Sequence, residues 1–189
     1  MNRHEELRRQ ALKTMQDAGV LMRQGHFDYG NGFHGRVYLN PHQLFRYPST
    51  IWRLAQDLLD VLPSELLAHT LAGLMDGRRA LTHPACSFAP FTPGDRKFTL
   101  RSFYAGLMEG KRVLLADDVR NTGKTFERCA ELVRAAGGTV LATVSICDRL
   151  EAIVDVGVPH YALAEYPAPE NYPADACPMC KAGEPVARF

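Results

Sequence analysis

The chain has 189 residues, of which 46% are hydrophobic and 23% charged, and its formal net charge is +1. That length supports one domain with a sizeable core, and no apolar run approaches the roughly 20 residues that a membrane helix needs. A charge so close to zero gives no long-range field, which argues against a protein that coats nucleic acid. At the start, Met1-Asn2-Arg3-His4-Glu5-Glu6 sets acids directly behind bases with no apolar stretch after them, so neither a signal nor a transit peptide is visible and a cytoplasmic location is expected. Five cysteines, Cys86, Cys129, Cys147, Cys177 and Cys180, then read as reduced thiols.

Leu7, Ala11, Leu12, Met15 and Ala18 recur at helical spacing behind a possible Asn2 cap, which predicts an amphipathic first helix stopped at Gly19. From Gly25 to Pro48 the pattern breaks into Gly, Asn, aromatic and His residues around Arg36-Val37-Tyr38-Leu39, which suits a loop leading into a short strand. Ile51, Leu54, Leu58 and Leu62 predict a second helix. Ser64 caps a predicted third, carrying Leu67, Leu71 and Leu74 and ended by Gly77. On this reading Leu62-Pro63-Ser64-Glu65-Leu66 joins the two helices directly, and Ala80 to Thr99 forms short pieces interrupted by Pro.

The strongest local signal begins at Lys111. The apolar run Val113-Leu114-Leu115-Ala116 leads into Asp117-Asp118 and a polar turn, and a helix follows with Phe126, Cys129, Ala130, Val133 and Ala136 on its inner face. Gly137-Gly138 ends that helix, and the second apolar run, Val140 to Ile146, completes a strand-helix-strand unit that crosses over right-handed in a parallel sheet. The class is therefore α/β. A last strand is predicted from Tyr161 to Tyr166, before a Pro-rich tail with no helical or strand period.

In an open parallel sheet, ligands sit at the carboxyl ends of the strands, where loop amides and the positive end of the next helix converge. Asp117 to Thr125 occupies that position. Backbone amides from Arg120 to Thr125, with the hydroxyls of Thr122 and Thr125, suit a phosphate monoester, and Gly123 permits close approach. The two acids suit ribose hydroxyls or Mg²⁺. A plainer reading is that they cap the next helix. A nucleoside triphosphate loop of the form GxxxxGK[ST] is excluded, since no glycine stands five residues before Gly123.

The thirteen residues from Val113 to Thr125 resemble the diphosphate-sugar signature of type I phosphoribosyltransferases. The resemblance implies that family's fold, a central mainly parallel sheet flanked by helices with a small N-terminal hood. It implies one domain over residues 1–189, with residues 1–48 as helix and hood, 49–166 as the α/β core and 167–189 as a tail containing Pro and Cys. It further implies binding of 5-phosphoribosyl 1-diphosphate with Mg²⁺, Asp117 and Asp118 positioning the ribose, and Arg120, Asn121, Thr122, Gly123, Lys124 and Thr125 around the 5-phosphate. The sequence departs from the family pattern at Asn121 and Lys124, and this lysine either adds a cation beside the phosphate or points to solvent.

The segment from Gly25 to Tyr38 resembles the part of orotate phosphoribosyltransferases that helps form the base pocket, although Gly30 and Asn31 differ from the usual residues there. Phe27 and Tyr38 are its candidates. Arg149, after Ile146-Cys147-Asp148, stands where those enzymes place an arginine on the base's carboxylate; an ion pair with Asp148 or Glu151 at the surface is the alternative. Gly94-Asp95-Arg96-Lys97 is the stretch that matches the family's closing basic loop, which makes Arg96 and Lys97 catalytic candidates and implies a homodimer. The strand and small-residue loop that this family places before its diphosphate site have no counterpart in the pattern between Leu62 and Leu66. Cys177-Pro178-Met179-Cys180 suits zinc only if Cys147, Cys86 or His160 folds back to complete it, and otherwise reads as a packed tail. Transfer to orotate is the expected function. The rivals are transfer to a purine or other base, and a regulator that senses the sugar without turnover.

Overall fold

A computed structural model describes residues 3–22, 25–29, 32–63, 66, 70–73, 88–93, 98–167 and 171–188. Helix α1 (Arg3–Asp17) is followed by four short strands, β1 (Leu21–Met22), β2 (Phe27–Asp28), β3 (Phe33–Gly35) and β4 (Tyr38–Leu39). After a 3₁₀ turn over Pro41–Arg46 come α2 (Pro48–Val61), β5 (Thr70–Gly73), β6 (Phe88–Pro90), β7 (Thr92–Pro93), β8 (Phe98–Thr99) and the one-turn α3 (Ser102–Ala105). The strand-helix-strand unit is β9 (Arg112–Arg120), α4 (Lys124–Ala135) and β10 (Thr139–Asp148), and the chain finishes through β11 (His160–Glu165), β12 (Asn171–Pro173) and α5 (Pro178–Lys181).

Five strands form the central sheet in the order β11-β10-β9-β5-β6, and every pair in it is parallel. Successive side chains of a strand point to opposite faces, so a strand covered on both sides reads as a continuous apolar run. β9 does this over four residues. Leu114 and Ala116 face a core shared with Ala11 and Met15 of α1, Leu54 and Leu58 of α2, and Leu163 of β11. Val113 and Leu115 face the opposite core, built with Phe126, Cys129, Ala130 and Val133 of α4. The alternation continues through the two acids, sending Asp117 toward the α4 side and Asp118 toward the other, before Val119 packs on the α1–α2 side.

Two expectations are corrected. The predicted third helix does not extend through Leu71, because Thr70–Gly73 is a strand held in parallel register between β9 and β6. A piece of four residues is too short to distinguish helix from strand by its period, and here the pairing edge of β9 decides. The strand that had no counterpart in the pattern between Leu62 and Leu66 is thus present a few residues further on, at Thr70–Gly73. The residues that follow it, 74–87, lie outside the described residues, as do Ser64, Glu65, Cys86, Arg96 and Lys97.

The second correction concerns the tail, which is not irregular. β12 adds antiparallel to β3, giving a three-stranded hood in the order β12-β3-β2, and Ala187 bridges Phe27 on the far side. Close packing explains why β3 carries a glycine, since a Cβ on Gly35 would lie 2.0 Å from the Tyr29 hydroxyl. Neither Cys147 nor His160 reaches the tail cysteines. Cys147 is sealed in the core, and the His160 ring is held by Thr143 (Nδ1 to Oγ1, 2.8 Å) and Ser145 (Nε2 to Oγ, 3.1 Å).

Burial, reinforced by Arg120 and only partly offset by Asp148, pushes the His160 imidazole down from its ordinary 6.5 to about 4. The unfolded chain takes up a proton below about 6.5 that the folded chain refuses until about 4. The stability contributed by the neutral ring is therefore complete above that window and is lost, to roughly 3 kcal/mol, as the pH falls through it. His160→Gln is expected to flatten the decline of thermal stability between those pH values; wild-type and variant profiles running parallel would contradict this.

Candidate active site

The carboxyl end of β9 opens into a cavity of about 290 Å³, lined by Asp117, Asp118, Val119, Asn121, Thr125, Arg149 and Glu151 and roofed from the hood side by Tyr29, Tyr38, Leu39 and Pro41. The strand delivers two acids in succession. Each bends one oxygen back onto the chain: Asp117 Oδ1 accepts from the Asp118 N–H (2.9 Å) and Asp118 Oδ1 from the Val119 N–H (2.6 Å). Burial, then repulsion by Asp118, raises the Asp117 carboxyl well above the usual carboxylate range. The influence of the pair spreads to both sides of the strand. Asp117 adds to the burial that pushes the Cys129 thiol of α4 up to about 12, and Asp118 adds to the burial that raises the Tyr38 phenol.

The acids do not cap the following helix. Its cap is Gly123, at φ +82, and among the described residues no side chain makes a capping hydrogen bond there. The first-turn amides of α4 and the positive end of its dipole are therefore left for an anion. A side chain at 123 would also press on Val154, 3.0 Å from the position of a Cβ. Asn121 and Lys124 are exposed, and Thr122 and Thr125 are half-buried. Arg120 is committed elsewhere: its Nε and Nη2 donate to the two oxygens of Asp148 at 3.0 and 2.5 Å.

Asp148 is an organising group for this end of the sheet. Its carboxylate, 4% exposed, also accepts from the backbone N–H of Leu150 (3.0 Å). Leu150 adopts φ +58, a left-handed conformation that a branched aliphatic residue takes up at some cost. This turn ends β10 and places Arg149 in the cavity wall, while the Ile153 N–H donates to the Thr122 carbonyl and ties the segment to the turn between β9 and α4 (3.0 Å).

Arg149 is not a surface residue. Its side chain is 3% exposed, its guanidinium carbon lies 4.9 Å from the centroid of the Tyr29 ring, and Nη2 is 3.5 Å from both the Tyr29 hydroxyl and Glu151 Oε1. Its Nε is buried with no hydrogen-bond partner among the described residues. Tyr38 lines the cavity, whereas Phe27 is buried behind it, with ring centroids 5.8 Å apart.

Sequence reasoning missed Tyr29 and Glu151 as cavity residues. The Tyr29 hydroxyl donates to the Val37 carbonyl (2.6 Å) and is held by Asn171 (3.1 Å), whose amide in turn donates to Glu151. Tyr29 stood within the aromatic segment already singled out, and Glu151 two positions beyond Arg149; the role of Asn171 had no local signal, because it depends on β12 pairing with β3.

No family model matches the chain. An orotate phosphoribosyltransferase of Phenylobacterium zucineum is 32% identical over 181 residues, covering 93% of this chain and 92% of the relative. Among solved structures, an orotate phosphoribosyltransferase from Aeropyrum pernix aligns with a TM-score of 0.65 at 20% identity, covering 81% of this chain and 92% of that one. An adenine phosphoribosyltransferase from Saccharomyces cerevisiae aligns at 0.58 and 18% identity, covering 80% and 99%. The two structures establish the type I phosphoribosyltransferase fold, and the sequence match over nearly the whole of both chains goes further: this chain belongs to the orotate phosphoribosyltransferase family.

Proposed function

We propose that the chain transfers the phosphoribosyl group of 5-phosphoribosyl 1-diphosphate to orotate and releases diphosphate, acting in the cytoplasm as a homodimer. The observation that carries the choice of base is Arg149. Its guanidinium lies in the cavity wall over the Tyr29 ring, and that planar fork suits a carboxylate, which a neutral purine lacks. Large apolar side chains left exposed at Trp52, Phe103 and Leu107 support a partner subunit. Among the described residues no helix is long and apolar enough to cross a membrane.

In this reading the amides at the start of α4 hold the 5-phosphate, and Asp117 and Asp118 accept from the ribose hydroxyls. The C1–oxygen bond to diphosphate breaks as the bond from C1 to the ring nitrogen of the base forms. The acids balance positive charge growing on the ribose ring. Adjacent carboxylates are hard oxygen donors, and Mg²⁺ is commonly held through one or two carboxylates together with substrate phosphates, so Asp117 and Asp118 fit it. When bound, Mg²⁺ supplies positive charge against the leaving diphosphate.

Three outcomes are expected. With the diphosphate sugar and Mg²⁺, a panel of bases should give diphosphate release with orotate alone; sugar binding by calorimetry without turnover on any base would turn the reading to a regulator. Arg149→Lys keeps the charge but loses the fork, and should raise KM for orotate about 10- to 100-fold, the equivalent of about 1.5–3 kcal/mol for a hydrogen bond to a charged group. Asp117→Asn should abolish sugar binding while raising thermal stability at neutral pH. A carboxyl whose folded value is raised destabilises the fold wherever the unfolded chain is ionised, so the gain should shrink as the pH falls toward 3.8. Unchanged sugar affinity in this variant would sink the site assignment.

A further inference from the structure

On the face of the hood turned away from the cavity, four side chains from distant parts of the chain converge. His26 precedes β2 and His34 lies on β3. Because Asp28 pairs with His34 across the hairpin, His26, Asp28 and His34 share one face, with the two histidines on the diagonal. Cys177 and Cys180 arrive from the tail, one just before α5 and one within it. His26, His34 and Cys177 are 4%, 7% and 1% exposed. One ligand atom from each of the four residues lies within 4.8 Å of all the others.

The distances suit a common centre. His26 Nε2 is 3.0 Å from His34 Nδ1, Cys177 Sγ and Cys180 Sγ are 3.5 and 3.6 Å from His26 Nε2, and Cys180 Sγ is 3.2 Å from His34 Nδ1. A tetrahedron with zinc–nitrogen bonds of about 2.0 Å and zinc–sulfur bonds of about 2.3 Å has edges of about 3.3 Å between nitrogens and about 3.5 Å between nitrogen and sulfur.

The outer nitrogens of the two rings give an independent argument. His26 Nδ1 is 3.0 Å from the Glu184 carbonyl oxygen, which only accepts, so this nitrogen carries the proton and Nε2 presents a lone pair inward. His34 Nε2 faces the Asp28 carboxylate at 3.9 Å, which favours the proton there and a second inward lone pair on Nδ1. Two lone pairs opposed at 3.0 Å repel, and thiols are weak donors to hold them together. A cation between them, with both cysteines as thiolates, satisfies every group, and ligating histidines are commonly held from behind by carbonyls and carboxylates in this way.

We propose that His26, His34, Cys177 and Cys180 bind one structural Zn²⁺. All four positions come from the protein, which leaves none for a substrate. The ion fastens the tail to the hood, alongside the bidentate Arg36–Glu184 pair (2.8 and 2.9 Å) and the bridge between Phe27 and Ala187. Through β12 it steadies Asn171, which holds Tyr29 over the cavity.

The test is zinc content by inductively coupled plasma mass spectrometry of the full chain, purified without chelator from zinc-supplemented cells, with X-ray absorption at the zinc edge. One zinc per chain with two sulfur and two nitrogen neighbours is expected, and Cys177→Ser/Cys180→Ser should lose it. Wild-type protein without zinc, a shell without sulfur, an intact-mass loss showing a Cys177–Cys180 disulfide, or zinc retained by the double variant would each overturn the proposal. The wild-type spectrum decides the matter even if the variant fails to fold, and no readout here requires activity.

Discussion

Asp117 and Asp118 put like charges on neighbouring residues at the end of a strand whose preceding four positions are sealed on both faces, and much of the site follows from keeping them there. The alternation that buries Val113 and Leu115 against α4 and Leu114 and Ala116 against α1 and α2 also splits the acids between the two sides of β9. Their charge is thereby felt by Cys129 on one side and Tyr38 on the other. The rigid strand, rather than a flexible loop, fixes the carboxylates, and the left-handed cap at Gly123 turns the next helix so that its amides face the same cavity. Electrostatic cost and binding geometry are thus set by the same nine residues of β9.

A second layer of charge keeps the neighbouring elements in place. Arg120 at the end of β9 grips Asp148, and Asp148 stabilises the strained turn at Leu150 that aims Arg149 inward. The hood completes the wall by stacking Tyr29 on this guanidinium and Tyr38 on Tyr29, with ring centroids 6.4 Å apart. The hood-facing wall of the cavity therefore depends on contacts between the two ends of the chain, whereas the wall built by β9 and the start of α4 depends on one local unit. That division explains why the two sides differed in how far they could be read in advance.

The β9–α4–β10 unit was legible because its signals are local: an apolar run buried on both faces, a helical face from Phe126 to Val133, and a motif whose chemistry lies within thirteen residues. β5 was misread as helix because four residues are too few to carry a period of their own, and pairing with the edge of β9 determines their state. The tail was misread because β12 and α5 are too short for periodicity, and their order comes from pairing with β3. For the same reason the cysteines of the tail were matched with Cys147, Cys86 or His160. The histidines they meet are some 150 residues away in sequence, a proximity that only the hood creates.

The central claim, that β9 holds a strained pair of carboxylates whose cost is relieved by a ribose, is tested most directly by following the Asp117 carboxyl carbon by NMR through a pH titration, with and without the diphosphate sugar. In the free chain Asp117 should titrate above the ordinary carboxylate value, and on binding, hydroxyl donors should favour its ionised form and bring the midpoint down. An ordinary midpoint in the free chain, or a raised one that the sugar leaves in place, would contradict the account.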